Sequence, residues 1–153
     1  MIYLISACLL GTPCRYDGQS KGPSAGIRDL LRENTLIPVC PEILGGLPTP
    51  RPPAERQADG SVRTADGKDL GAAYRRGAEE VLRLARLFRA DGVILKDKSP
   101  SCGTDGIYDG SFSKKLRSGM GVTAQLLRAA GIPLYSEKHL PTKKSPGGGC
   151  NPS

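Results

Sequence analysis

The segment IYLISA, at residues 2–7, decides the fold class of this 153-residue chain. It is a short apolar run that stops abruptly at Cys8 and Gly11, which is typical of a buried strand leading into a loop. Ligands of open α/β sheets bind beyond the carboxyl ends of the strands. The residues that follow this run are therefore candidates for a functional site.

Apolar runs of the same kind recur along the chain, and segments with helical spacing separate them. Further strands are predicted at residues 36–40, 92–95 and 133–135, and helices at residues 27–33, 72–89 and 122–130. Strands that alternate with helices favour a mainly parallel sheet. The sequence predicts an α/β fold: one small Rossmann-like domain, with a parallel sheet flanked by helices and the site at the C-terminal ends of the strands.

Three stretches do not fit this alternation. Residues 45–53 are rich in Gly and Pro and are predicted to be irregular. Turn-forming Asp-Gly pairs flank residues 61–65, which indicates an exposed hairpin or a flexible flap. The end of the chain is rich in Pro, Gly, Ser and Lys without an apolar anchor, so we predict a domain over residues 1–140 and a flexible tail over residues 141–153.

The composition is that of a globular protein with a basic surface. A hydrophobic content of 38% in 153 residues suits one ordinary core. The 22 Lys and Arg residues outnumber the 15 Asp and Glu residues, and the net charge of +7 favours anionic partners. Aromatic residues make up 5% of the chain and Trp is absent, which disfavours a dedicated nucleic-acid-binding module. A nucleotide or RNA substrate stays open.

The apolar runs are all shorter than a membrane span requires, and residues 1–10 lack the charged start and cleavage site of a secretory signal. We therefore predict a cytoplasmic protein with no membrane partner. The pattern does not predict an oligomeric state, because it contains no heptad repeat. In a reducing compartment, the five cysteines favour metal binding or catalysis over a disulfide framework.

Three of these cysteines follow predicted strands. Cys8, Cys40 and Cys102 each lie in a loop just after a strand, so they are expected to converge at one edge of the sheet. Soft thiolates suit zinc, copper(I) or an iron–sulfur cluster. The same residues are equally compatible with buried or loop thiols, because free Cys is often buried and no Cys-x-x-Cys pair is present.

Short sequence blocks around these cysteines, taken together, resemble the thiouracil desulfidase family. The blocks are SACLLG (6–11), CRYDG (14–18), VCPE (39–42), LGGLPTPRPP (44–53), LK (95–96), SPSCG (99–103), IYDG (107–110) and GIPLYSE (131–137). The resemblance extends over nearly the whole chain, to about residue 137. Members of this family were long described only as a domain of unknown function.

The resemblance implies an enzyme that removes sulfur from a thiolated pyrimidine without net redox change. It implies a 4Fe-4S cluster held by Cys8, Cys40 and Cys102, with one open iron that binds the thiocarbonyl sulfur of thiouracil or thiouridine. The sulfur leaves as hydrosulfide and water supplies the oxygen of uracil or uridine. An exposed cluster of this kind is expected to be lost in air. A base or nucleoside is the expected substrate, and RNA remains a candidate.

The catalytic residues are predicted from their neighbours. Glu42 lies two residues after Cys40 and is expected to move the proton that water attack and sulfur departure require, although a carboxylate after a Pro also marks a helix start. Ser101 and Asp17 are expected to bind the substrate or a water molecule, although such residues beside Gly and Pro often only shape turns.

Other residues near the predicted site have more than one possible role. Cys14 opens the block CRYDG, one of those that resemble the desulfidase family. Three roles stay open for it: a spare thiol near the cluster, a fourth ligand in the resting state, or a packing residue. Arg51, Lys96 and Lys98 lie in predicted site loops, where they either hold a base, ribose or phosphate or are simply solvated. Cys150 lies in the predicted tail and is expected to be unimportant.

Two other functions compete with desulfuration. A zinc-binding or structural module that engages RNA would use Cys8, Cys14, Cys40 and Cys102 as four closed ligands. A different enzyme, a cysteine-nucleophile hydrolase or a redox thiol protein, would need a histidine partner or a Cys-x-x-Cys dithiol. His139 is the single His of the chain, and it lies far along the sequence near the predicted tail.

Overall fold

The computed structural model describes residues 1–142. In chain order the strands are β1 (Ile2–Ser6), β2 (Thr35–Val39), β3 (Ala54–Arg56), β4 (Val62–Thr64), β5 (Gly92–Leu95), β6 (Gly106–Tyr108), β7 (Leu116–Ser118) and β8 (Leu134–Ser136). The helices are α1 (Ala25–Glu33), α2 (Pro41–Leu44), α3 (Gly71–Leu87) and α4 (Val122–Ala129), and a 3-10 helix covers Ala7–Leu10.

The centre of the molecule is a four-stranded parallel sheet in the order β2-β1-β5-β8. The predicted α/β fold, with one domain and a parallel sheet flanked by helices, is confirmed. The strand order reverses between β1 and β5, because the chain moves outward from β1 to β2 and then returns to the other side of β1. Such a switch point leaves a crevice beyond the strand ends, where ligands bind in this class of fold.

Both faces of the sheet are buried. Leu4 of β1 packs into one core with side chains of β5, α3 and α4, whereas Tyr3 and Ile5 pack into a second core with Ile27 of α1. Successive side chains of a strand point to opposite faces, so β1 supplies both cores from adjacent positions. This double burial explains why the central strands are continuous apolar runs.

The helix ends differ from the predicted bounds by about two residues. Helix α1 begins at Ala25 because the Ser24 hydroxyl accepts a hydrogen bond from the Ile27 backbone N–H at 3.3 Å. Helix α3 ends at Leu87, and Arg89 follows with a left-handed φ of 52°, which turns the chain away from the helix axis.

The edge strand β2 leads directly into the single-turn helix α2. Pro38 is tolerated in β2 because that strand pairs only with β1 and exposes its other edge. Helix α2 packs so closely on α3 that a Cβ atom added to Gly45 would lie 2.0 Å from the carbonyl oxygen of Ala73. This close approach fixes the position of the turn that follows Cys40.

Two small antiparallel hairpins, β3–β4 and β6–β7, lie outside the main sheet. The first includes the hairpin predicted around residues 61–65, and the second was not predicted. Arg56 of β3 donates from Nη1 to the Met120 carbonyl at 2.7 Å, and Arg117 of β7 donates from Nη2 to the Gln57 carbonyl at 3.2 Å. These two bonds join the hairpins to each other and to the start of α4.

Residues 45–53 contain no helix or strand, as the sequence predicted. No helix of the described chain is both long and apolar enough to cross a membrane. The predicted domain boundary at residue 140 stays a prediction, and residues 143–153, which include Cys150, lie outside the described residues.

Candidate active site

A cavity of about 570 Å³ opens at the carboxyl ends of β1, β2 and β5. All four cysteines of the described residues line it: Cys8, Cys14, Cys40 and Cys102. The structure thus brings together the three cysteines that the sequence predicted to converge. Their role as ligands stays a prediction.

Each of these cysteines is positioned by a different element of the sheet. Cys8 lies in the 3-10 helix that follows β1, and Cys40 occupies the N-cap position of α2 directly after β2. Cys102 lies in the loop after β5 and is only 3% exposed. Three parallel strands therefore deliver three thiols to one cavity, as expected when ligands bind at the strand ends.

The Cys102 loop is held against the start of α4. The Thr123 N–H donates to the Ser101 carbonyl at 2.8 Å, and the Val122 N–H donates to the Pro100 carbonyl at 3.0 Å. A Cβ atom on Gly121 would lie 2.4 Å from the Ser101 carbonyl oxygen, so only glycine allows this approach. The fold thus sets the position of Cys102 through backbone contacts.

The pKa values of the Cys14, Cys40 and Cys102 thiols are raised. The Cys40 thiol donates to the Cys14 carbonyl, with 3.9 Å between Sγ and the oxygen. The neighbouring Cys14 side chain, together with burial, raises the pKa of Cys40 far above its usual range. Burial raises the pKa of Cys102 to about 12, although Ser6 and Ser101 hydroxyls counteract part of that shift. The Cys40 and Cys102 thiols therefore hold their protons, and a metal that binds thiolates has to displace these protons.

The donor set is of the type that an iron–sulfur cluster takes. Among residues 1–142, no group of three or more His, Cys, Asp or Glu side chains is arranged to hold one metal ion. A cluster distributes its thiolates over different irons, so its ligands need not approach one point. Soft sulfur donors from Cys8, Cys40 and Cys102 are the ligand type that such clusters take.

Glu42 lines the cavity and forms an ion pair with Arg51. Oε2 of Glu42 lies 3.7 Å from Nη2 of Arg51, and the two side chains are 12% and 7% exposed. Burial raises the pKa of Glu42, and the Arg51 guanidinium opposes that shift. Arg51 is itself fixed by bonds from Nη2 to the Cys14 carbonyl at 3.0 Å and from Nη1 to the Pro48 carbonyl at 3.1 Å. The carboxyl group is thus desolvated and firmly oriented beside the thiols.

The loop after β5 brings cationic side chains to the cavity. Lys96 and Lys98, which the sequence singled out with Arg51, both line it. The ammonium of Lys96 lies 2.9 Å from Oε1 of Glu137, which also accepts the Asp97 N–H at 2.8 Å. Lys98 adopts a left-handed φ of 65°, a strained conformation for a residue with a side chain.

Two residues predicted to be catalytic lie away from the cavity surface. Ser101 is fully buried, and its hydroxyl pairs with that of Thr123 at 2.7 Å. Asp17 is exposed, and its carboxylate accepts the Gln19 N–H at 3.0 Å, which shapes a turn. Neither residue lines the cavity in this structure, and the catalytic role of each stays a prediction. The sequence could not distinguish a hydroxyl that faces the cavity from one that faces the core.

Ser99 is a residue that the sequence interpretation missed. It lines the cavity, and its Oγ accepts the N–H groups of Ser101 and Cys102, each at 3.1 Å. Because its lone pairs serve these two donors, its hydroxyl proton can be directed toward a bound molecule. The SPSCG block contained the signal, but two serines in one block left the choice open.

The outer wall of the cavity comes from the two hairpins. Tyr108, Phe112 and Lys114 of the β6–β7 segment line it, as does Glu55 of β3. The sequence predicts none of these as site residues, because they lie in short, partly exposed strands or in the loop between β6 and β7. His139, the partner that a cysteine hydrolase would need, does not line the cavity.

Comparison with known proteins identifies the relatives of this chain. The profile of the family described as 2-thiouracil desulfurase matches residues 3–139. YbbK of Bacillus subtilis strain 168, described as an uncharacterized protein, is 44% identical over 146 residues, covering 90% of this chain and 96% of YbbK. A solved structure described as the [4Fe-4S]-dependent thiouracil desulfidase TudS superimposes with a TM-score of 0.84 at 48% identity, covering 89% of this chain and 90% of that one.

Proposed function

The chain belongs to the 2-thiouracil desulfurase family, and from this premise we propose that it hydrolyses the C=S group of a thiolated pyrimidine to C=O and releases hydrosulfide. One observation carries the proposal: thiols from the ends of three parallel strands open onto one cavity that also contains a buried carboxyl group. The overall conversion exchanges sulfur for the oxygen of water, so it needs no external oxidant or reductant.

The cofactor proposed here is a 4Fe-4S cluster. The structural relative is described as [4Fe-4S]-dependent, and this chain offers Cys8, Cys40 and Cys102 as the three ligands. Such a cluster would supply an open iron as a Lewis acid for the substrate sulfur. Cys14 lines the cavity beside these residues, and we assign it no permanent ligand role.

Glu42 is the proposed general acid/base. A carboxyl group with a raised pKa can take a proton from the attacking water and return it to the departing sulfur at neutral pH. Arg51 keeps this carboxyl group oriented and also limits how far its pKa rises. Ser99 is proposed to donate a hydrogen bond to the substrate, and Ser101 to support the Cys102 loop from within the core.

The cavity suits a base or nucleoside. Its volume of about 570 Å³ falls within the range of small-molecule sites. Lys98 and Lys114 add positive charge at the wall, which favours polar or anionic parts of the substrate. The net charge of +7 is also compatible with a thiolated RNA, so RNA is kept as an outcome of the test. A cytoplasmic location is proposed because reduced thiols persist there.

The zinc-binding alternative receives no support from the geometry. Four closed ligands around one ion require the sulfur atoms to converge on a point, and the described residues contain no such group. Metal analysis distinguishes the two functions, because zinc proteins are colourless and iron–sulfur proteins are brown.

The decisive experiment is an anaerobic purification with iron and acid-labile sulfide analysis, an absorbance spectrum and an assay of hydrosulfide release from 2-thiouracil and 4-thiouracil. A brown protein with about four irons that releases hydrosulfide from either base would support the proposal. A reconstituted protein that holds zinc or no metal and releases nothing would overturn it. Thiolated RNA and free bases should be compared as substrates in the same assay.

A further inference from the structure

Phe112 adopts a backbone conformation that a bulky residue rarely takes. Its φ is 57°, in the left-handed region that glycine favours. Within residues 1–142 four non-glycine residues have a positive φ, and three of them, Lys98, Phe112 and Lys114, line the cavity. Such strained positions cluster at binding sites because the surrounding structure must hold them in place.

The group that holds Phe112 in place is the carboxylate of Glu55. Its Oε1 atom accepts the Gly110 N–H at 2.9 Å and the Phe112 N–H at 3.1 Å. Glu55 belongs to β3, whereas both amides belong to the loop between β6 and β7, so the carboxylate joins the two hairpins. No Lys or Arg in the described part of the chain forms an ion pair with Glu55.

The loop is also closed by its own bonds. The Asp109 N–H donates to the Lys115 carbonyl at 2.9 Å, and the Asp109 carboxylate accepts the Ser111 N–H at 2.9 Å. The aromatic ring of Phe112 is thus carried on a segment whose backbone is fixed from both sides. A pre-organised aromatic ring at a cavity wall loses little freedom when a ligand binds.

We propose that Phe112 stacks on the pyrimidine ring of the substrate and that Glu55 is a positioning residue that holds Phe112 for this contact. The inference rests on the proposed function, because it takes the ligand to be a flat heteroaromatic base. Aromatic rings bind such bases through their faces with little dependence on the base. The contact therefore explains binding of the ring, while the atoms around the thiols determine the reaction at its sulfur.

The absence of Trp from the sequence allows a direct test of the stacking contact. Phe112→Trp places the single tryptophan of the chain at the cavity, where it can be excited apart from the five tyrosines. Phe88→Trp is the matched control, because Phe88 is 43% exposed at the end of α3 and does not line the cavity. The cluster-loaded full-length variants are titrated anaerobically with uracil, which is not turned over. A saturable change in emission is expected for Phe112→Trp and none for Phe88→Trp.

Steady-state kinetics with 2-thiouracil test the positioning role of Glu55. Phe112→Leu is expected to raise KM about tenfold with little change in kcat, since stacking stabilises ground state and transition state alike. Glu55→Ala should raise KM in the same way. Glu55→Gln should keep KM near the wild-type value, because the amide oxygen can accept both N–H groups. In Phe112→Leu, adding Glu55→Ala should raise KM no further.

The outcomes separate this inference from the proposed function. An active enzyme with unchanged emission in Phe112→Trp and unchanged KM in Phe112→Leu would overturn the stacking contact and leave desulfuration intact. A Glu55→Ala protein that loses thermal stability but keeps its KM would overturn the positioning role. Saturable binding of uracil without any hydrosulfide release would support the stacking contact and contradict the proposed reaction.

Discussion

A Cβ atom on Gly77 of α3 would lie 1.9 Å from the carbonyl oxygen of Pro41 at the start of α2. The two helices are therefore in backbone contact at the turn that carries Glu42 and follows Cys40. Gly77 has no Cβ atom, and this allows the turn to lie directly against the backbone of α3.

Gly77→Ala is expected to move α2 away from α3 and to disturb Cys40 and Glu42 together. Overpacking of this kind costs about 1–3 kcal/mol of unfolding free energy. We expect lower thermal stability and a reduced iron content after reconstitution, measured by calorimetry and metal analysis. Gly106→Ala is the matched control, because its Cβ atom would meet only the Arg117 carbonyl oxygen at 4.0 Å. Equal iron content in both variants would contradict this account of how α2 is positioned.

Replacing the proposed ligands one at a time should remove the cluster. Cys8→Ser, Cys40→Ser and Cys102→Ser are each expected to lose the brown absorbance and hydrosulfide release, since a neutral hydroxyl is a poor ligand for iron. Cys150→Ser should retain both, as the sequence predicts. Iron-to-protein ratios measured after anaerobic reconstitution provide the check. Full activity in an iron-free Cys102→Ser protein would refute the proposed cofactor role.

Glu42→Gln should retain the cluster but lower kcat by roughly 10²–10⁴-fold, the usual contribution of a positioned proton donor or acceptor. Gln is similar in size and keeps a hydrogen-bond acceptor for Arg51, so the iron content serves as the control for correct folding. A variant with normal kcat would show that the proton is moved by another group.

Glu42→Gln should also reduce the change of the unfolding free energy with pH. Because burial raises the pKa of Glu42 in the folded state, its contribution to stability is fully present below the pKa of an unfolded glutamate. That contribution is lost as pH rises through the folded value, because the carboxylate must then ionise while buried. Urea unfolding from about pH 4 to pH 8 should therefore show a steeper loss of stability in the wild-type protein than in Glu42→Gln. Parallel curves would contradict the assignment.

The two serines of the SPSCG block should respond differently to substitution. Ser101→Ala removes the buried hydroxyl pair with Thr123, which should cost about 1–3 kcal/mol of stability and leave KM nearly unchanged. Ser99→Ala should instead lower kcat or raise KM, because Ser99 lines the cavity. Unfolding curves and initial rates for both variants distinguish these effects. If Ser101→Ala lowered kcat without affecting stability, the catalytic role predicted from the sequence would be supported instead.

The parts of the fold that could be predicted are those with a strong burial signal. Strands β1 and β5 are continuous apolar runs because helices cover both faces of the sheet. Strands β6 and β7 contain three residues each and are partly exposed, so neither periodicity nor hydrophobicity indicates them. Helix α2 has a single turn, which is too short for a periodic pattern.

The candidate site divides in the same way. Convergence of Cys8, Cys40 and Cys102 could be predicted because each residue follows a strand, and the carboxyl ends of parallel strands lie at the same edge of the sheet. Which residues line the cavity depends, in contrast, on the directions of side chains in loops. The sequence pattern does not indicate these directions. For this reason the sequence indicates Ser101 as a candidate, whereas it indicates neither Ser99 nor Glu55.

Two separate parts of the fold build the cavity: the main sheet and a hairpin outside it. The thiols are carried by the strand ends of the main sheet, while Tyr108, Phe112 and Lys114 are carried by a hairpin outside it. We therefore expect replacement of Phe112 or Lys114, which lie in the loop of this hairpin, to change which molecules enter the cavity while the strand ends keep the cysteines in position. Over evolutionary time, a lineage built on this plan can acquire new specificities while its chemistry is inherited unchanged.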